Sequence, residues 1–169
     1  GLLGEGRVRK YHPRPEACGD VDEAQTALGM ARPIMRDREA AALVLQAQRD
    51  LYSVMAELAA VDDATAQAFR SIDAGRVRWL EEQTDHYAGR VTMPREFVIS
   101  GESAPGAALD FARTVVRRAE RRVVKLYDNG LTTNPELIRY LNRLSSLCFV
   151  LARYEDALGG SPTVTLAKG

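Results

Sequence analysis

Apolar residues recur at every third or fourth position through most of this chain, and no alternating apolar–polar run exceeds four residues. A period near 3.6 marks one buried helix face, whereas a half-buried strand needs a period of two. The pattern therefore excludes a sheet-based fold and leaves packed helices. Val21, Ala24, Ala27, Leu28 and Ala31 hold this spacing between Pro15, suited to a first helical turn, and Pro33, which closes or kinks the helix. Before it, residues 1–14 read as an irregular lead-in. Leu43, Ala47, Leu51, Val54 and Leu58 make one face of a second helix from Asp37, an N-cap residue type, to Ala60. Residues 61–72 are ambiguous, with a short helical piece at 64–69. A third helix spans Asp73 to about Arg90, with Val77, Leu80 and Thr84 inward and Arg76, Glu81, Glu82 and Asp85 outward.

Pro94 to Pro105 is a long loop. The helix that follows runs from Pro105 to Asp128, about 36 Å at 1.5 Å per residue, and stops at Asn129-Gly130. The last helix begins at Asn134-Pro135, shows Leu137, Leu141, Leu144, Cys148, Leu151 and Leu158 as a near-heptad seam, and ends at Gly159-Gly160 before a loose tail. The expected architecture is an all-α bundle of about five helices in a single domain over residues 1–169, without internal repeats.

Charge narrows the function. Lys plus Arg and Asp plus Glu both total 23 in 169 residues, so the chain is formally neutral and is not a polybasic nucleic-acid coat or an acidic tail. Cys18 and Cys148 form no disulfide framework and no C-x-x-C pair, which points to a reducing, cytoplasmic setting. The longest apolar run, Leu147 to Ala152, falls far short of the roughly 20 residues that cross a bilayer, and no signal peptide is expected. Because the sequence opens on Gly1 rather than Met, its biological N-terminus is expected upstream.

The neutral total hides one strongly basic segment. Arg113 to Lys125 carries six basic residues and one acid in thirteen positions, a local charge of +5. Arg113, Arg117, Glu120 and Arg121 share one helical face, while Val115, Ala119, Val123 and Leu126 supply a core face. Rigid guanidinium forks suit a polyphosphate, with Glu120 orienting its arginine neighbours. A solvated face laced with i, i+4 ion pairs explains the same pattern, and a nucleic-acid patch is disfavoured by the lack of interleaved aromatics. The carboxylates at Asp20, Asp22 and Glu23 are explained first by a helix N-terminus; the functional alternatives are Mg²⁺ binding or pairing with the arginines. His12 and His86 lack metal-ligand spacing, and Ser100 and Ser103 sit in no nucleophile elbow. Asn142, in an apolar helix, either fixes a helix interface or meets a ligand, and Phe97 by default anchors core.

Three blocks together resemble the PduO-type ATP:cob(I)alamin adenosyltransferases: Phe97-Val-Ile-Ser-Gly, Ala112-Arg-Thr-Val-Val-Arg-Arg-Ala-Glu-Arg121, and Tyr140-Leu-Asn-Arg-Leu-Ser145 followed by Phe149-Val-Leu-Ala-Arg-Tyr154. Ala17 to Glu23 and Leu28-Gly29 match the first helix of the same family, and the register runs from about Leu3 to Tyr154. The resemblance implies an up-down five-helix bundle that forms a homotrimer, with active sites between subunits. It implies transfer of the 5′-deoxyadenosyl group of ATP, with Mg²⁺, to cob(I)alamin, giving adenosylcobalamin and triphosphate after reduction of four-coordinate cob(II)alamin. A reductase and an adenosylcobalamin-dependent mutase are implied partners; nucleic acid and membrane are not. Phe97 matches the aromatic on the lower corrin face, and Asp22 with Arg113 a salt-bridged pair across the interface. Arg117, Arg118, Glu120 and Arg121 match the ATP segment, Asn142 a nucleotide contact, and Lys10 a basic residue reaching the phosphates. The family's glycine-rich loop, T-G-D-x-G-x-T, belongs just before Gly1 and is absent from this sequence, so the expectation is a chain trimmed there or a degenerate member of the family. Asp110, Ser100 and Ser146 stand where the family commonly has His, Pro and Asp. Two other readings compete: a non-catalytic trimer that holds or delivers cobalamin, and an arginine-helix module for nucleic acid or an acidic partner.

Overall fold

The computed structural model describes residues 2–3, 7–160 and 164–168. Of the expected lead-in, residues 1 and 4–6 lie outside the described residues, as do residues 161–163 and 169 of the tail. Among the described residues there are six α-helices and one 3₁₀ turn: α1 (Pro13–Ala31), the turn Arg32–Ile34, α2 (Arg38–Ala59), α3 (Asp63–Phe69), α4 (Ala74–Ala88), α5 (Ala104–Asp128) and α6 (Glu136–Leu158). Five are long; α3 is the short piece expected after residue 61, and it brings the count to six rather than five. The row of packed neighbours runs α2, α1, α5, α6, α4, so the arginine-bearing α5 sits in the middle with a helix on either flank.

Local chemistry sets the helix ends. Asp37, Asp62, Asp73 and Ser103 each accept a backbone N–H of the first turn of α2, α3, α4 and α5, which satisfies donors that a helix leaves orphaned. α1 starts two residues before Pro15, with His12 Nδ1 accepting from the Arg14 amide. α6 starts at Glu136, one residue beyond the expected Pro135, and Asn134 Oδ1 still accepts from the Glu136 amide at 3.1 Å. The Asn134 amide also ties the bundle, donating to Glu57 Oε2 at 3.2 Å and to the Ile72 carbonyl at 3.0 Å. Burial raises the Glu57 pKa above the ordinary glutamate value.

Asp37 joins two elements. Its Oδ1 accepts from the Glu39 and Ala40 amides, and its Oδ2 accepts the Tyr154 hydroxyl from α6 at 2.8 Å. The Ala40 amide bond is the main reason its pKa lies below the usual aspartate value. Because the folded-state pKa is the lower one, this stabilisation is complete at neutral pH and is lost as acid protonates the folded carboxylate. Asp37→Ala is expected to lower urea-unfolding stability by about 1 kcal/mol at neutral pH. The gap to wild type should close as acid titration passes below the lowered pKa of the folded carboxylate. A gap that persisted there would assign Asp37 a packing role instead.

Several sequence expectations change. Arg76, expected outward, turns into the bundle. Its Nε donates to Asp50 Oδ2 at 2.7 Å, and its guanidinium lies 3.7 Å from the Trp79 ring centroid. The same Asp50 oxygen accepts the buried Tyr140 hydroxyl at 2.6 Å, so a carboxylate on α2 gathers an arginine from α4 and a phenol from α6. Thr84, expected inward, is only half-buried and donates to the Leu80 carbonyl. Leu158, expected in the seam, is 47% exposed because α6 ends there with only the Gly159-Gly160 turn beyond it. The tail is not loose where it is described: Val98 and Leu166 form an antiparallel bridge, with Ile99 N donating to Thr165 O and Ala167 N to Phe97 O, each at 2.8 Å. No described helix is long and apolar enough to cross a membrane.

Candidate functional site

α5 presents its arginines in two directions, and their partners differ. Toward α1, Arg118 Nε lies 3.4 Å from Asp20 Oδ1, and Arg118 also bonds Glu23. Arg122 reaches Asp20 Oδ2 at 3.1 Å and Glu16 Oε2 at 3.3 Å. Carboxylates of α1 therefore neutralise two of the six basic residues of the segment, one of the alternatives their sequence left open. Asp20 and Glu23 do so from the middle of α1 rather than from its N-terminus. Arg117 and Arg121 are exposed and make no ion pair among the described residues. Four residues apart on a helix, they point the same way. Two uncompensated guanidinium groups on a rigid element form a fixed cationic surface suited to phosphate oxygens.

Glu120 lies between them in sequence but does not orient them, as the sequence reading expected. It accepts the Asn142 amide from α6 at 2.9 Å. The two half-buried side chains line a cavity of about 260 Å³ between α4, α5 and α6, with Val77, Glu81, Ile138 and Arg143. Arg143 in turn pairs with Glu81 at 2.7 Å. Asn142 is thus the polar bridge of a helix junction, as its interface reading expects, and it also forms part of a cavity wall.

The remaining residues expected at the site stand apart from this face. Lys10 is exposed and lines a larger cavity, about 600 Å³, with Arg7, Val8, Cys18 and Met55 near the start of α1 and the end of α2. Phe97 is not a core anchor: it is 89% exposed, beside a cavity of about 460 Å³ that it shares with Arg95, Glu96, Ala167 and Lys168. Asp22 is exposed on α1 in a groove with Met30 and Phe111, and it does not meet Arg113 within the chain. Arg113 is held instead by Asp110, whose Oδ1 accepts its Nε at 3.2 Å. One chain therefore offers four separate patches: the Lys10 cavity, the Asp22 groove, the Arg117 face with its Asn142 cavity, and the Phe97 loop.

Chemically, the arrangement binds and orients rather than attacks. Burial raises the Cys18 thiol to about 11 and Cys148 to about 12, so neither is a thiolate at neutral pH. No three Asp, Glu, His or Cys side chains among the described residues converge on a metal position. What the sequence reading missed is buried: Ser103, Asp110, Arg153 and Asp156 form one hydrogen-bonded cluster. The signal for it was an arginine and two aspartates falling on the apolar faces of α5 and α6.

A family model described as cobalamin adenosyltransferase matches residues 1–155. The corrinoid adenosyltransferase PduO of Citrobacter freundii is 39% identical over 150 residues, which is 89% of this chain and 44% of that protein. A cobalamin adenosyltransferase of Cupriavidus metallidurans is 37% identical over 166 residues, 96% of this chain and 85% of that one. Among solved structures, a variant PduO-type ATP:corrinoid adenosyltransferase from Lactobacillus reuteri, complexed with cobalamin and ATP, superposes with a TM-score of 0.90 at 28% identity. That match covers 99% of this chain and 90% of the other. The chain spans under half the length of the PduO relatives from Citrobacter freundii and Salmonella typhimurium, 44% and 45% respectively.

Proposed function

The chain belongs to the cobalamin adenosyltransferase family, and from that premise we propose that it transfers the 5′-deoxyadenosyl group of ATP to cob(I)alamin. The observation that carries this reading is the α5 face, where Arg117 and Arg121 pair with no carboxylate among the described residues while Arg118 and Arg122 are neutralised. In the reaction, the Co(I) electron pair forms a bond to the ribose C5′ and the C5′–O bond breaks. Triphosphate leaves with the C5′–O bonding pair. Negative charge gathers on the leaving oxygen, and fixed guanidinium donors stabilise it without reorganising. Asn142 and Glu120 orient the nucleotide beside that face, and Lys10 contributes a further cation to the phosphates. Mg²⁺ fits as an ion carried by ATP: it binds phosphate oxygens and keeps several waters, and needs no protein cage.

The four patches form a complete site only when more than one copy contributes. We therefore infer a homotrimer whose active sites lie at its seams. Asp22 meets Arg113 across a seam that also covers the exposed Met30 and Phe111. Four-coordinate cob(II)alamin, presented to Phe97, receives its electron from a reductase. The product passes to an adenosylcobalamin-dependent mutase, and both free cysteines fit a cytoplasmic setting.

Full-length protein incubated with cob(II)alamin, a reductant, ATP and Mg²⁺ should develop the absorbance of adenosylcobalamin. Cobalamin binding without that change would instead support a holding or delivery role.

A further inference from the structure

A buried polar chain runs from the loop carrying Phe97 to the arginine face of α5. Ser103 Oγ, capping α5, donates to Asp156 Oδ1 at 2.6 Å. Arg153 Nε donates to Asp156 Oδ2 at 3.1 Å, and Arg153 Nη2 donates to Asp110 Oδ2 at 2.7 Å. The other Asp110 oxygen accepts Arg113 Nε at 3.2 Å. Packing around the first link is tight enough that a Cβ on Gly106 would clash with Asp156 Oδ1.

Exposure differs sharply along this chain. The Arg153, Asp156 and Asp110 side chains are 1%, 1% and 3% exposed, whereas Arg113 keeps 30% of its side chain in solvent. Two aspartates match two arginines, so the cluster is neutral, as buried charge requires. Asp110 is its hinge point, because each of its oxygens serves a different arginine. Arg153 is fixed by burial and by Asp156, and it fixes Asp110 in turn. With Nε committed to Asp110, Arg113 has its two terminal nitrogens without another partner among the described residues.

We propose that Asp110 is a positioning residue for Arg113: clamped by Arg153, it sets the direction in which Arg113 presents its terminal guanidinium nitrogens at the active site. The inference rests on the function proposed above, where Arg113 meets Asp22 across the subunit seam that bounds the active site. The competing role for Asp110 is purely structural, as the counter-charge that keeps Arg153 buried.

A double-mutant cycle separates the two. Asp110→Asn, Arg113→Lys and the double variant are assayed for adenosylcobalamin formation at a temperature where circular dichroism shows each folded. Lysine has no Nε donor of that geometry, so it removes the link that Asp110 acts through. Asp110→Asn should lower kcat/KM for ATP roughly tenfold or more in the wild-type background. In the Arg113→Lys background its effect should shrink to less than about twofold. An equal factor in both backgrounds would overturn the positioning role and leave the proposed function standing. No product from the wild-type protein would overturn both. Should Asp110→Asn not fold, Asp110→Glu replaces it in the same cycle, because it keeps the counter-charge for Arg153 while displacing the oxygens that hold Arg113.

Discussion

Arg117→Ala is expected to lower kcat/KM for ATP by about a hundredfold or more while leaving fold and assembly intact. Removing a charged group that bonds a phosphate costs on the order of 3 kcal/mol when the loss falls on the transition state, and each 1.4 kcal/mol is tenfold in rate. The fold should not register the change. Arg117 is exposed, makes no ion pair among the described residues, and leaves the adjacent core face of Val115, Val116 and Ala119 untouched. Steady-state kinetics, circular dichroism and a sizing column together read the outcome. Arg118→Ala is the informative contrast, since that guanidinium is already engaged with Asp20 and Glu23. Exposed ion pairs of this kind contribute only about 0.2–1 kcal/mol to stability. A smaller kinetic loss than at Arg117 is expected there. An equal loss would show that the α1 carboxylates release Arg118 to the phosphates. Loss of the oligomer in Arg117→Ala would reassign that side chain from ligand binding to the subunit seam.

The division of the arginines shows where sequence reading stops. Helical spacing placed Arg117 and Arg121 on one side of α5, because that depends only on the 3.6-residue repeat. Which of the arginines remain free depends on how α1 packs against α5, some hundred residues away in sequence. Glu120 went to Asn142 for the same reason: the partner lies on another helix, 22 residues distant. Helix ends were legible because capping is local, as Asp37, Asp73 and Asn134 show within three residues of their acceptor bonds. The partners of buried charge were not legible. Arg153 falls on the apolar face of α6 and Arg76 reads as solvent-facing, but Asp110 and Asp50 come to them from 43 and 26 residues away. The segment around Leu166 reads as a tail because a single bridge to Val98 leaves no periodic pattern. The resemblance, by contrast, rests on whole blocks of residues, and so it identified the family while the pairings within the site stayed hidden.

Phe97→Ala should slow adenosylcobalamin formation from cob(II)alamin on the order of a hundredfold, yet leave formation from chemically pre-reduced cob(I)alamin nearly unchanged. An aromatic side chain that is 89% exposed contributes almost nothing to the core, so its loss is read in catalysis rather than in folding. Its loop is nonetheless held in place, since the Phe97 carbonyl accepts the Ala167 amide at 2.8 Å and Val98 pairs with Leu166. Truncating the ring should therefore shift stability by less than about 0.5 kcal/mol. A ring seated against the lower corrin face keeps an axial nitrogen or water off cobalt. Without that axial donor, the half-filled orbital along the axis drops in energy and accepts an electron more readily. Cob(I)alamin carries no lower axial ligand, so once the electron has arrived the ring has little left to exclude. The two substrates thus separate reduction from alkyl transfer within one variant. Equal slowing of both would show that Phe97 places the corrin relative to ATP rather than controlling its coordination, and unchanged rates from cob(II)alamin would remove it from the site.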